Sequence, residues 1–272
     1  MAVTSADGLP GLFDTHAHLN DPRFDEDRDQ VLKEMAERGM LNVCVGSDIP
    51  TSRSGIELAR RWPGLYAAVG IHPHEASTFR EEDLSTLEDW LLHEPRVVAL
   101  GEIGLDFYYD YSPREVQREV FARQLEMGFR LGVPVILHIR DAHGECMDMM
   151  RARRDRLPRC VIHCCSASWE SAKVYLDLGC MISFAGPVTF KKSHHLQECA
   201  RNVPEDRLLI ETDSPYLAPE PVRGRRNRPQ NVEHICRFLS QLRGVSPEEL
   251  CQRTRENGME FYRIGDCSRT RR

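Results

Sequence analysis

The sequence has no apolar run approaching the roughly 20 residues that a membrane-spanning helix needs. It also has no excess of basic charge. The formal net charge is −6 over 272 residues, which counts against a non-specific DNA coat held by a basic face. It does not exclude an enzyme that grips a few phosphates through metal ions. There are ten cysteines but no repeated CxxC pair of the zinc-ribbon kind. Cys164 and Cys165 are adjacent and the others are scattered through strand-like and helix-like segments, as expected for reduced, mostly buried thiols in a cytoplasmic protein. Residues 1–11 are short and polar and do not read as a signal peptide. No GxGxxG or Walker loop follows an early strand, which argues against a doubly wound nucleotide-binding sheet. No repeat, low-complexity linker or shift in composition marks a second domain. One domain over 1–272 is expected, with its core at about 11–265 and flexible ends at 1–10 and 266–272.

What the sequence does have is alternation. With 41% hydrophobic and 29% charged residues it belongs among ordinary globular chains. Short apolar runs predict strands at 12–18, 41–46, 66–72, 97–105, 134–139, 160–164, 181–184 and 208–212. Amphipathic stretches between them predict helices. One starts near Thr51 with that residue as N-cap, and another spans Pro113 to Leu131 with Ser112 as N-cap. A last helix runs from about Pro247 to Tyr262. Eight strand–helix units imply parallel pairing through right-handed crossovers, and eight such units suggest a closed (β/α)8 TIM barrel. Residues 214–230, rich in proline and arginine, read as the loop after the eighth strand.

Polar residues at the strand ends carry the chemical signal. His16 and His18 are two residues apart on a strand, so both imidazoles share a face. Alone, such a pair is a weak sign of metal binding. Glu102, His138, His163 and Asp213 each follow an apolar run, at the end where barrel enzymes build their sites. Burying six such groups with nothing to compensate them would cost several kcal/mol each. They are therefore expected to hold metal, and six ligands suit two divalent ions better than one. Glu102 is the expected bridge, since no lysine occurs in its segment to be carbamylated. Asp213 is the expected general base. Imidazoles suit zinc and carboxylates with phosphate oxygens suit magnesium or manganese, so the identity of the ions stays open.

Six runs in order then show a resemblance: Asp14-Thr-His-Ala-His-Leu, Gly70-Ile-His-Pro-His-Glu, Gly101-Glu-Ile-Gly-Leu-Asp-Phe-Tyr-Tyr, Pro134-Val-Ile-Leu-His-Ile-Arg, Val161-Ile-His-Cys-Cys-Ser and Glu211-Thr-Asp-Ser-Pro-Tyr-Leu. They resemble the TatD-type metal-dependent deoxyribonucleases of the amidohydrolase superfamily, over residues 11 to 262. The resemblance implies a two-metal barrel with His16, His18, Glu102, His138, His163 and Asp213 as ligands and His72 near the substrate phosphate. It implies DNA as substrate, cleaved from the 3′ end of a single strand. The chain departs from the family at Cys165 and Ala167, where an aromatic residue and a glycine are common, which bears on the shape of that loop.

Around this pattern several residues have two readings. Arg140 either binds a phosphate oxygen or pairs with Asp141 or Glu145. Arg223, Arg225, Arg226 and Arg228 either hold a nucleic-acid backbone or form internal salt bridges. Tyr108, Tyr109 and Tyr111 either stack on an unpaired base or pack the loop over the barrel. Cys165 is expected to be a packed small side chain rather than a reactive thiol. His74, His143, His194 and His195 are expected on the surface or in loops. The rival functions are hydrolysis of another ester, such as an aminoacyl-tRNA, and a binding scaffold without catalysis.

Overall fold

Apolar runs too short for helices become strands here, and the amphipathic stretches between them become the helices that cover them. A computed structural model describes residues 8–265; of the ends expected to be flexible, 1–10 and 266–272, residues 1–7 and 266–272 lie outside the described residues, whereas Leu9 is buried in the core. The strands are β1 (Phe13–Ala17), β2 (Leu41–Val45), β3 (Leu65–Val69), β4 (Val97–Asp106), β5 (Val135–Arg140), β6 (Cys160–Ile162), β7 (Met181–Phe184) and β8 (Leu208–Ile210). They form one parallel sheet in sequential order. The helices are α1 (Arg28–Glu37), α2 (Ile49–Arg61), α3 (Glu81–His93), α4 (Arg114–Leu131), α5 (His143–Arg151), α6 (Trp169–Asp177), α7 (His194–Asn202), α8 (Val232–Arg243) and α9 (Pro247–Phe261). The sheet closes where Ala17 bridges Ser214 and where Thr15 Oγ1 donates to the carbonyl of Ile210 at 2.9 Å. This is the (β/α)8 TIM barrel that the alternation predicts.

Two apolar layers hold it. Alternate strand residues point outward and pack under the helices, among them Cys44, Val69, Leu100, Leu137, Ile162 and Ile210. The others point into the barrel, where Phe13, Val43, Ala68, Ile136, Val161, Met181 and Leu209 fill its lower half. Phe261 and Tyr262, at the end of α9, close the bottom of this inner core. Tyr262 is buried, and its hydroxyl donates to the carbonyl of Thr15 at 3.0 Å. With the lower half filled by carbon, polar side chains are left to the upper end, where the strands finish.

Strand and helix ends differ in detail from the sequence expectation. Asp48, not Thr51, caps α2, and Thr51 at the third helical position completes a reciprocal capping box with it. Ser112 does not cap α4; its hydroxyl donates to the carbonyl of His74 at 2.9 Å instead. β1, β3, β6 and β8 stop before His18, His72, His163 and Asp213. The chain nevertheless keeps ladder-like bonds there: His163 N–H donates to the Leu137 carbonyl at 3.1 Å and His18 N–H to that of Ser214 at 2.7 Å. No helix among the described residues is long and apolar enough to cross a membrane. The nine described cysteines are free thiols, and all but Cys164 are buried.

Candidate metal centre

The six residues expected to meet do meet, at the upper mouth of the barrel. His16 lies within β1 and His18 just past it. Asp213 lies three residues past β8, with φ of +55°, and its N–H donates to the His16 carbonyl at 2.9 Å. That bond holds the segment after β8 against the end of β1, so Asp213 Oδ1 lies 3.3 Å from His18 Nε2 and 3.7 Å from His16 Nε2. Glu102, on β4, stands between the two halves of the site. Its Oε2 is 3.5 Å from His16 Nε2 and 3.7 Å from His18 Nε2. Its Oε1 is 2.8 Å from both His138 Nδ1, on β5, and His163 Nε2, just past β6. One carboxylate thus faces two sets of donors with its two oxygens.

The chemistry of these donors fits cations. His18 Nδ1 lies 3.0 Å from the Val45 carbonyl, His138 Nε2 lies 3.0 Å from Asp106, and His163 Nδ1 lies 3.0 Å from Glu211. Each of those oxygens accepts the single proton of a neutral imidazole, which leaves the other nitrogen bare. The bare nitrogens then face carboxylate oxygens, lone pair to lone pair, unless a positive charge lies between them. His16 Nε2 and His18 Nε2 are only 3.2 Å apart. Among the described residues no lysine or arginine pairs with Glu102 or Asp213; their ionic partners are all histidines. Protons on the histidines are one remedy. Burial pushes the His163 pKa down, but Glu102 and Glu211 raise it well above the usual value. Burial likewise opposes ionisation of Glu102, yet His163 and His72 hold its carboxyl well below the usual range. Divalent cations are the other remedy. Three buried or half-buried groups converge closely enough to hold an ion: His16, His18 and Asp213; His16, Glu102 and His163; and His72, Glu102 and His138.

His72 differs from the rest of its group. Its Nδ1 accepts the His74 backbone N–H at 3.1 Å, so a neutral ring carries its proton on Nε2, 3.6 Å from Glu102 Oε1. Burial pushes its pKa down to about 4. A neutral ring with N–H turned into the site suits a donor to a phosphate oxygen better than a ligand.

Three further contributors stand beside the residues that the sequence singles out as ligands. Asp106, fully buried at the end of β4, accepts from His138 and also lies 2.8 Å from His74 Nε2. Glu211 receives the His163 ring and the Cys164 N–H, the latter at 2.8 Å. His74 belongs to this shell and is not a plain loop residue: its ring sits 4.3 Å from that of His72 and 6.1 Å from that of His138. Asp106 and Glu211 each stand inside a run that carries the family resemblance and also contains a ligand-type residue, which is the available signal. His143 is occupied elsewhere, with Tyr175 and Ser166, and His194 and His195 are exposed.

A family model described as TatD related DNase matches residues 13–263. The chain belongs to that family. It is 38% identical over 254 residues to a Bacillus subtilis protein described as the uncharacterized metal-dependent hydrolase YabD, covering 93% of this chain and 99% of that one. A protein of Erwinia billingiae named 3'-5' ssDNA/RNA exonuclease TatD is 36% identical over 260 residues, covering 93% and 99%. The solved structure of YJJV, a TatD homolog from Escherichia coli K12, matches with a TM-score of 0.87 at 29% identity, covering 93% of this chain and 98% of that one. The chain is therefore a metal-dependent hydrolase, an enzyme acting on ester bonds.

The mouth of this TatD-family barrel bears on the double readings. Arg140 makes no ion pair among the described residues; Glu145 pairs with Arg118 at 2.8 Å. The Arg140 guanidinium instead lies over the rings of Tyr108 and Tyr109, at 4.2 and 4.7 Å. The tyrosines are exposed, so they do not serve to pack the loop down. The arginine cluster is largely spoken for by internal pairs: Arg226 with Asp27 at 2.5 Å and Arg228 with Glu34 at 3.2 Å, while Arg223 covers Phe190 at 4.1 Å. Cys165 is buried, as expected for a packed side chain.

Proposed function

We propose that this chain, acting as one barrel domain, is a phosphodiesterase that removes nucleotides from the 3′ end of single-stranded DNA, with two divalent cations as cofactors. The observation that carries it is the split of Glu102 between two sets of donors. His16, His18 and Asp213 would hold one ion and His138 and His163 the other, with Glu102 between them. When bound, the ions supply Lewis acidity, lowering the pKa of water and withdrawing negative charge from phosphate. Asp213 is mostly buried at the mouth, with a small part of its side chain open to solvent, and takes the proton of the attacking water. Burial opposes its ionisation, but the His18 contact and the nearby His163 and His16 keep its carboxyl below the usual range, ready to accept. His72 offers Nε2–H to a non-bridging oxygen as charge builds there. Glu211 and Asp106 hold the His163 and His138 rings so that their bare nitrogens stay aimed inward. The acidic surface of the chain and the internal pairing of its arginine cluster favour a short grip on a strand end over a long tracked duplex.

The test is turnover of labelled single-stranded DNA, RNA and a panel of carboxylic esters that includes aminoacyl-tRNA, with and without EDTA. Chelator-sensitive shortening of the single strand from its 3′ end is the expected result. Ester turnover with no nuclease activity would overturn the proposal.

A further inference from the structure

The loop between β4 and α4 presents an aromatic surface beside the candidate metal centre. Tyr109 and Tyr111 are stacked, with ring centroids 5.1 Å apart and planes 18° from parallel. The guanidinium of Arg140 covers the neighbouring faces of Tyr108 and Tyr109. Large aromatic side chains normally bury their area, yet these are 57% (Tyr108), 44% (Tyr109) and 66% (Tyr111) exposed. The surface is also fixed in place. Asp106 Oδ1 accepts the N–H groups of Tyr108 and Tyr109 at 3.0 and 2.9 Å, while its Oδ2 meets the rings of His138 and His74. The His74 ring meets Tyr111 edge-on at 4.8 Å and Tyr109 at 5.5 Å. A single buried carboxylate therefore ties the aromatic surface to the His138 side of the centre.

We infer that the Tyr111 ring, backed by Tyr109 and Arg140, forms a stacking platform for an unpaired nucleobase next to the phosphate being cleaved. This rests on the phosphodiesterase proposal above and adds to it where the base goes. A flat ring face takes any base, since every base has a π-face, and the guanidinium adds attraction for the base or an adjacent phosphate. A base held in a duplex cannot reach such a platform. The preference for a single-stranded end then comes from the base rather than from the metal centre.

The experiment compares an intact single-stranded oligonucleotide with versions carrying one abasic residue at each of the terminal positions in turn. The metal-loaded wild-type protein should lose roughly 5- to 100-fold in kcat/KM at one of those positions. The double variant Tyr109→Ala/Tyr111→Ala should cleave the intact strand more slowly by a similar factor and lose the distinction between intact and abasic strands. Tyr111→Phe, which keeps the ring, should retain the distinction between intact and abasic strands that the double variant loses. An equal loss on intact and abasic strands in the double variant would show a merely structural role and overturn the platform. So would a wild type indifferent to every abasic position. A wild type that cleaves no nucleic acid at all removes the phosphodiesterase proposal and the platform with it, whereas cleavage without any base effect removes the platform alone.

Discussion

A carboxylate buried without a lysine or arginine partner is costly, because its lost hydration is not repaid. Glu102 and Asp213 share that predicament, and both face imidazoles: His18, His138 and His163 have their outer nitrogens engaged, while the Nδ1 of His16 is buried without a hydrogen-bond partner among the described residues. Two substitutions test the roles proposed for residues here. Asp213→Asn keeps the shape of the side chain but cannot accept a proton, so turnover of a single-stranded oligonucleotide should fall by roughly 10²- to 10⁴-fold. Circular dichroism should show the fold retained; turnover near wild type would remove Asp213 from the role of base. Asp106→Asn puts an amide NH2 either where Oδ2 now meets both histidines or where Oδ1 accepts the Tyr108 and Tyr109 N–H groups, so one of these sets of contacts is lost. Metal affinity at the centre should drop by roughly 10- to 100-fold, read by titration of the metal-free protein. An unchanged affinity would mean that Asp106 does not orient His138.

Among the elements, β4 is the one that places most of the site. It is the longest strand, at ten residues, and carries Glu102 and Asp106. Its pairing with β5 shifts register between Leu100 and Ile103, so Gly104 sits opposite His138. Gly104 has φ of +146°, and a Cβ added there would lie 2.0 Å from the His138 carbonyl oxygen. Neither the dihedral nor the space admits a side chain. Gly104→Ala should therefore push β5 away at the histidine it carries. The expected outcome is a lower urea midpoint together with loss of bound metal, measured by denaturation and by metal analysis of the purified variant. Wild-type metal content in a folded Gly104→Ala protein would contradict this.

At the scale of the whole molecule, stability rests on apolar walls that also enclose thiols. Cys44, on β2 in the wall under the helices, has its pKa pushed up from 9.0 to about 12 by burial. A thiol harder to ionise in the folded chain than in the unfolded one favours folding fully below pH 9. That contribution is lost as pH rises from 9 towards 12, since the unfolded chain then gains more by losing the proton. Burial raises the Cys146 and Tyr175 pKa values in the same direction. The urea midpoint of the metal-loaded protein, kept reduced, should accordingly decline across that window. A midpoint that stays level from pH 9 to 11 would refute the link between these buried groups and stability.

Periodicity needs only neighbours along the chain. The alternation of apolar runs with amphipathic stretches therefore determined the eight units, the barrel and the strand ends at which His16, Glu102, His138 and the others stand. Local rules also placed most helix boundaries within a few residues. They failed where a side chain had two possible partners: Ser112 left its helix for the His74 carbonyl, and Asp48 took the cap assigned to Thr51. What the tertiary structure alone decided is which groups face one another across the barrel. Asp106 and Glu211 gained their places because separate strands bring them against His138 and His163, and His74 because the segment after β3 meets Asp106 at the end of β4. The arginines after β8 spent their charge on Asp27 and Glu34, near α1, while Arg140 was left to the tyrosines. Such pairings depend on distances between segments far apart in sequence, which no local pattern of residues encodes.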